Sequence, residues 1–229
     1  LRRRLDPQLH VDVYEVKLDD EFLMSSLFTT AEVALAQLGL AALPSHTDLD
    51  VIVGGLGLGY TARAIAADPR VRYLGIVEAL DAVIDWHQRD LLPDATVLTK
   101  DPRVHFIHAD FFASATDPAG FDPDRPQRRF DAILLDIDHS PRHVLNPRHA
   151  DCYQPAGLRH LATQLRPGGV FALWSNDPPD DQFEQHLAEA FAQTHTHVVN
   201  FHNPLQNRQS ANTVYVATTP RHRPHRRLD

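Results

Sequence analysis

The sequence predicts an α/β domain built on a doubly wound, mostly parallel sheet of seven strands. Three observations predict it. From Asp48 onward, short apolar runs with strand character alternate with segments of helical length. One of those runs, Phe130 to Leu135, is almost continuously apolar, as a strand covered on both faces must be. The first run, residues 50–53, feeds directly into Gly54-Gly55-Leu56-Gly57-Leu58-Gly59, a loop where such sheets turn from strand to helix.

In chain order, Val11, Val13, Tyr14, Val16 and Leu18 give residues 10–18 the pattern of a strand. Thr29-Thr30-Ala31-Glu32 then opens an apolar run to Leu43. Thr29 with Glu32 matches a capping box, and Pro44 ends the helix. Residues 1–46 therefore read as a small strand/helix entry element, and 47–219 as the main domain. Within the main domain, 60–67 reads as a helix stopped by Asp68-Pro69, 71–77 as a strand, and 79–92 as a helix ending at Pro93. Residues 104–109 and 130–135 read as strands. Pro155 opens a helix through Leu165, which Pro167-Gly168-Gly169 stops. A strand at 170–174, a helix at 181–193 and a closing strand pair at 195–201 and 213–218 complete the pattern. Residues 116–129, rich in Pro, Asp and Arg, read as a surface insertion. The basic run from Arg221 to Arg227 places 220–229 as a disordered tail rather than a binding arm.

A chain of 229 residues, 43% hydrophobic, can bury one large core. Its single cysteine, Cys152, cannot form an internal disulfide, so a reducing, cytoplasmic setting is the expectation. No apolar run reaches the roughly 18–20 residues that span a bilayer, so no membrane partner is expected. The start, Leu1-Arg2-Arg3-Arg4, lacks the apolar segment of a signal peptide and lacks Met, as expected of a stretch within a longer chain. The formal net charge of -8, from 30 acids against 22 Lys plus Arg, argues against nucleic acid as a partner. It favours a small cationic substrate slightly, although such a charge mostly serves solubility. The 15 histidines make the charge sensitive to pH between about 6 and 7.

The glycine loop has the spacing Gly-x-Gly-x-Gly at 55, 57 and 59. A dinucleotide fingerprint needs a glycine at position 60, which is Tyr, and a phosphate-cradling loop needs Gly-Lys-Ser/Thr, which is absent. Alone, the loop could be no more than a tight turn. Two further strand ends change its meaning. Glu78 ends the next strand and can accept from both hydroxyls of a ribose. Asp110 ends the third strand and can accept from an adenine amino group. Each acid alone could equally be a helix N-cap. Three successive strand ends carrying glycines, Glu and Asp point together to a nucleoside site with Gly54, Gly55, Gly57, Gly59, Glu78 and Asp110 as its residues.

Further segments carry a resemblance: Asp101-Pro102-Arg103-Val104, Phe130-Asp131-Ala132-Ile133-Leu134-Leu135-Asp136, and Leu165-Arg166-Pro167-Gly168-Gly169. With the loop, Val77-Glu78 and Ala109-Asp110, these resemble the Rossmann-like class I S-adenosylmethionine-dependent transferase fold. Within it they resemble the spermidine synthase-like (polyamine aminopropyltransferase) branch. The resemblance covers about 50–218, and a short upstream stretch, Leu18-Asp19-Asp20-Glu21-Phe22, is also similar. It implies S-adenosylmethionine or decarboxylated S-adenosylmethionine as cofactor and a small-molecule amine as acceptor. Domains of this kind often pair, so a homodimer is one expected assembly.

The resemblance also implies a carboxylate just past the fourth strand. An attacking amine is protonated at neutral pH and must lose that proton before it becomes a nucleophile. Here the segment is Asp136-Ile137-Asp138-His139-Ser140-Pro141. The family has two acids separated by two residues. Asp136 carries over directly, whereas the second acid is displaced to Asp138 or replaced by His139. Asp136 and Asp138 are the expected catalytic carboxylates and His139 a candidate base, with a turn or N-cap role for Asp138 equally open. At position 57 the family has an aspartate that reads the amino group of the decarboxylated cofactor, and this chain has Gly57. The alternatives are therefore a methyltransferase using intact S-adenosylmethionine and a non-catalytic nucleoside-binding pseudo-enzyme. A nicotinamide oxidoreductase is disfavoured by the glycine spacing.

Other features rank lower. His139, His143, His149, Asp151 and Cys152 crowd one segment, but Pro141 keeps His139 and His143 off one helical face, so no metal is expected. Cys152 has no activating partner in sequence. Trp174 suits core packing more than a pocket wall. Asp177, Asp180 and Asp181 suit a solvated helix start more than an acidic rim.

Overall fold

The protein is described by a computed structural model covering residues 1–18, 21–45, 47–203 and 207–221. An antiparallel three-stranded sheet comes first, with β1 (Arg2–Leu5), β2 (Asp12–Leu18) and β3 (Glu21–Ser25) in that order. The sequence pattern showed only β2. β1 is Arg-Arg-Arg-Leu, with no apolar alternation. It is held instead by ion pairs, Arg3 to Asp12 at 2.6 Å and Arg4 to Glu15 at 2.9 Å. Asp19, Asp20 and the tail from 222 lie outside the described residues.

The main sheet is built from β4 (Leu49–Gly54), β5 (Val71–Glu78), β6 (Val104–His108), β7 (Phe130–Leu135), β8 (Leu165–Ser175), β9 (Gln193–Asn203) and β10 (Arg208–Thr218). Their spatial order is β6-β5-β4-β7-β8-β10-β9. β10 runs antiparallel to both its neighbours, while the pairings from β6 to β8 are parallel. This is the predicted seven-stranded, mostly parallel, doubly wound sheet.

Helices cover both faces because the strands alternate two apolar sets. Val51, Val53, Leu134, Ala172 and Val216 point to one face, where they meet Leu35 and Leu40 of α1 (Thr30–Ala41) and Ile65 of α2 (Tyr60–Ala66). Ile52, Ile133, Leu135, Phe171 and Tyr215 point to the other. There they meet Phe111 of α5 (Phe111–Thr116), Leu158 of α6 (Pro155–Thr163) and Phe183 of α7 (Asp181–Ala190). Each such side chain taken wholly out of water contributes roughly 1.5–3 kcal/mol before entropy is counted.

Several boundaries differ from the sequence pattern. The helix expected over 79–92 is α3 (Asp81–Gln88), cut short where Asp90 turns into left-handed backbone at φ 57. A separate short helix, α4 (Ala95–Thr99), follows. α5 went unread because six residues are too few for a helical period to show. β8 already begins at Leu165, running through Pro167-Gly168-Gly169. The stretch 116–129 is not only surface. Phe121 and Asp122 are buried, and the Arg128 guanidinium lies 3.6 Å from the centre of the Tyr73 ring while pairing with Asp122.

Candidate functional site

β4 and β7 are neighbours whose onward connections leave in opposite directions, to β5 on one side and to β8 on the other. A crevice opens at the carboxyl ends of strands at such a switch point. Here it is a cavity of about 830 Å³. It is bordered by the β4 loop, the ends of β5, β7 and β8, the β2–β3 hairpin and the β9–β10 hairpin.

The glycine loop forms one wall. Gly55 (φ +92) lies so close to the backbone oxygen of Asp136 that a Cβ would collide with it. A Cβ on Gly57 (φ +48) would come within 2.5 Å of the Met24 sulfur. Both glycines border the cavity. Gly54 and Gly59 do not: Gly54 ends β4 against Phe111, and Gly59 caps α2 against His87. They shape the loop from behind. Beside it, Glu78 Oε2 accepts from the Leu56 amide at 3.0 Å and Oε1 from the Leu80 amide at 2.9 Å. Each oxygen keeps a lone pair for a further donor, so the carboxylate is both fixed and available.

Asp110 fills the helix N-cap role that the sequence left open. It caps α5, with Oδ1 accepting from the amides of Phe112 at 2.8 Å and Ala113 at 3.3 Å. It also borders the cavity, with Oδ2 making no hydrogen bond among the described residues. Room at the glycines, a fixed carboxylate at Glu78 and a spare acceptor at Asp110 suit an adenosyl group.

Asp136 and Glu32 also border the cavity. Asp136 follows β7 and receives a 2.6 Å hydrogen bond from the Thr61 hydroxyl. Burial pushes its pKa above the usual carboxylate range, against the pull of that bond. Glu32, only 8% exposed, borders the same cavity from α1. Burial, reinforced by the Asp136 charge, pushes Glu32 higher still. Among the described residues neither acid has a lysine or arginine partner. The capping-box reading of Glu32 is corrected: Thr29 makes no side-chain cap bond, and Glu32 turns inward. The signal that could have exposed it is an acid on the helix face shared with Leu35 and Ala36, where a solvated acid does not belong.

The second expected acid, Asp138, is not brought to the cavity. It is 1% exposed and accepts from the Leu145 amide at 2.7 Å, Tyr153 Oη at 2.7 Å and His149 Nδ1 at 2.9 Å. These bonds hold the loop 138–149 in place. His139 does border the cavity, and its backbone oxygen accepts from the Asn176 amide at 2.7 Å. His149, ranked low in the sequence, borders it too, as does Trp174. Asp177 accepts from the Ser140 hydroxyl at 2.6 Å and Asp180 pairs with Arg142 at 3.2 Å, so these acids latch the loop rather than rim the cavity. Cys152 is buried, which pushes its thiol pKa up to about 12. Among the described residues no group of three or more His, Cys, Asp or Glu could hold a metal ion. No helix among them is long and apolar enough to cross a membrane.

No protein-family model and no curated protein sequence matches this chain. Solved structures do. Spermidine synthase from Thermotoga maritima superposes with a TM-score of 0.69 at 17% identity, covering 94% of this chain and 67% of that one. A spermidine synthase in complex with the transition-state analogue AdoDATO gives 0.70 at 17% identity, with 94% and 69% covered. Human methyltransferase-like protein 13 in complex with SAH gives 0.54 at 20%, with 87% and 82% covered. The chain has the class I S-adenosylmethionine-dependent transferase fold, in an arrangement similar to that of the spermidine synthases.

Proposed function

We propose that this protein transfers a group from an S-adenosyl-type sulfonium donor to a small amine, and that the group is aminopropyl. One observation carries the reading: Glu32 and Asp136, two acids without a cationic partner among the described residues, border the same cavity as Gly55, Gly57, Glu78 and Asp110. The glycine loop, Glu78 and Asp110 would hold the adenosyl part. The donor, when bound, supplies an activated carbon next to sulfur and a neutral thioether leaving group. Asp136 would accept the proton that an ammonium must lose before its nitrogen can attack. Its raised pKa suits that task, because a stronger base takes the proton more readily. Glu32 and Asp136 together attract an ammonium and repel a carboxylate. That favours a decarboxylated donor and a cationic acceptor.

One observation favours methyl transfer as a second reading. Gly57 stands where the spermidine synthase-like branch has an acid for the donor's amino group, and Met24 fills the space beside it. Calorimetry with S-adenosylmethionine and its decarboxylated form separates the two. The aminopropyl reading expects tighter binding of the decarboxylated form, and the opposite order ends it. Incubation with each donor and a diamine, followed by product mass, tests turnover. Absence of product with both donors would favour a non-catalytic nucleoside-binding role.

A further inference from the structure

We infer that His149 is a nucleobase-binding residue, paired with Asp110 to recognise an exocyclic amino group on the purine. The inference rests on the nucleoside reading of the cavity and goes beyond it by naming the acceptor pair that selects the base.

The imidazole is held by two residues, Asp138 and Phe112. Its Nδ1 lies 2.9 and 3.1 Å from the two oxygens of Asp138. Asp138 is itself locked by Tyr153 Oη and the Leu145 amide. The ring stacks on Phe112, with centres 3.7 Å apart and planes 15° apart. A neutral imidazole whose Nδ1–H donates to a carboxylate carries its lone pair on Nε2. The His149 side chain is 15% exposed, and the residue borders the cavity, whereas Asp138 is closed off behind it. Nε2 is the ring nitrogen left for a ligand, and in the neutral ring it is an acceptor.

Asp110 supplies the matching half. Its Oδ1 is tied to the Phe112 amide, so Phe112 is joined to Asp110 through its backbone and to His149 through its ring. Oδ2 remains for a ligand. Two acceptors bordering the cavity and linked through Phe112 suit a group with two N–H bonds. The amino group of adenine has two, and an oxo group there has none. A site that hydrogen-bonds a group disfavours analogues lacking it, because its acceptors then lose that partner. Asp138 and Tyr153 act here as positioning residues.

The test is calorimetry on the whole chain with 5′-methylthioadenosine and with the same compound lacking the amino group. The wild-type protein should prefer the amino compound by at least roughly tenfold, the effect of one or two net hydrogen bonds. His149→Phe keeps the stack on Phe112 and removes both nitrogens. It should weaken the amino compound about tenfold and leave the other within about twofold. Equal weakening of both compounds, or of neither, would overturn the role. A second measurement needs no substitution: the wild-type protein should bind the N6-monomethyl compound several-fold more weakly than the parent. Equal binding would show that a single acceptor suffices and would overturn the pair. If the wild-type protein binds none of these compounds, the nucleoside reading itself has failed, and this inference with it.

Discussion

The two ends of the main sheet treat their acids in opposite ways. At the amino ends of the strands every buried acid meets arginine. Asp50, 1% exposed, receives two bonds from Arg72 at 2.8 and 2.9 Å, one from Arg166 at 2.6 Å, and pairs with Arg128 at 3.0 Å. Burial alone would raise its pKa. The three guanidiniums outweigh burial and hold it well below the carboxylate range. Arg166 also bonds Asp131, and Arg103 bridges Asp101 to the Ala66 and Val71 carbonyls. At the carboxyl ends, Asp136 and Glu32 have no such partner among the described residues, and burial pushes both upward. Acids at one end tie strands together, whereas Asp136 and Glu32 at the other border a cavity. A carboxylate that costs stability and borders a cavity is where function is expected.

Substitutions can break this contrast. The largest effect is expected from Asp136→Asn. Product formation should fall by roughly 10²–10⁴-fold, the usual worth of a positioned base. Thermal melting should be unchanged or raised, because an acid with no cation is removed. A drop in stability comparable to that of an amino-end acid would break the comparison. Asp50→Asn should do the reverse, lowering unfolding free energy by about 3 kcal/mol in urea titrations, because buried guanidiniums lose their counter-charge. Nucleoside binding by the folded protein should be unaffected. Asp50 has a depressed folded pKa, so its stabilisation is present above the ordinary carboxylate pKa and is lost as pH falls below it. The gap between wild type and Asp50→Asn should therefore close in acid.

Glu32→Gln gives the smallest effect and sharpens the contrast. The folded pKa of Glu32 is raised above its unfolded value. Its contribution is therefore most favourable below the ordinary carboxylate range and is lost as pH rises through the raised folded value. Glu32→Gln should melt like wild type near pH 4 and several degrees higher at pH 9. A variant less stable than wild type at pH 9 would show that Glu32 has a cationic partner after all.

The contrast also explains what the sequence disclosed. The sheet was legible because Val51-Ile52-Val53 and Phe130 to Leu135 are apolar without interruption, which is a local property. The cavity wall proposed to hold a nucleoside was legible because Gly55, Gly57, Glu78 and Asp110 sit at strand ends, and strand ends converge by topology. Glu32 was not, because it reaches the cavity only when α1 packs across the sheet. Its spacing from Thr29 imitated a cap that the structure does not form. Asp138 misled for a related reason. Two residues from Asp136, it sits beyond the strand, where the chain turns it inward to Tyr153 and His149. Spacing along a loop does not say which way a side chain faces.

The central claim is that the carboxyl ends of β4, β5, β6 and β7 converge on one adenosyl group, with Asp136 and Glu32 at its reacting end. A crystal structure with bound 5′-methylthioadenosine tests it most directly. The account predicts ribose hydroxyls on Glu78, the purine beside Asp110, and the sulfur end toward Asp136 and Glu32. A nucleoside bound elsewhere, or one turned so that its sulfur points away from both acids, would contradict it.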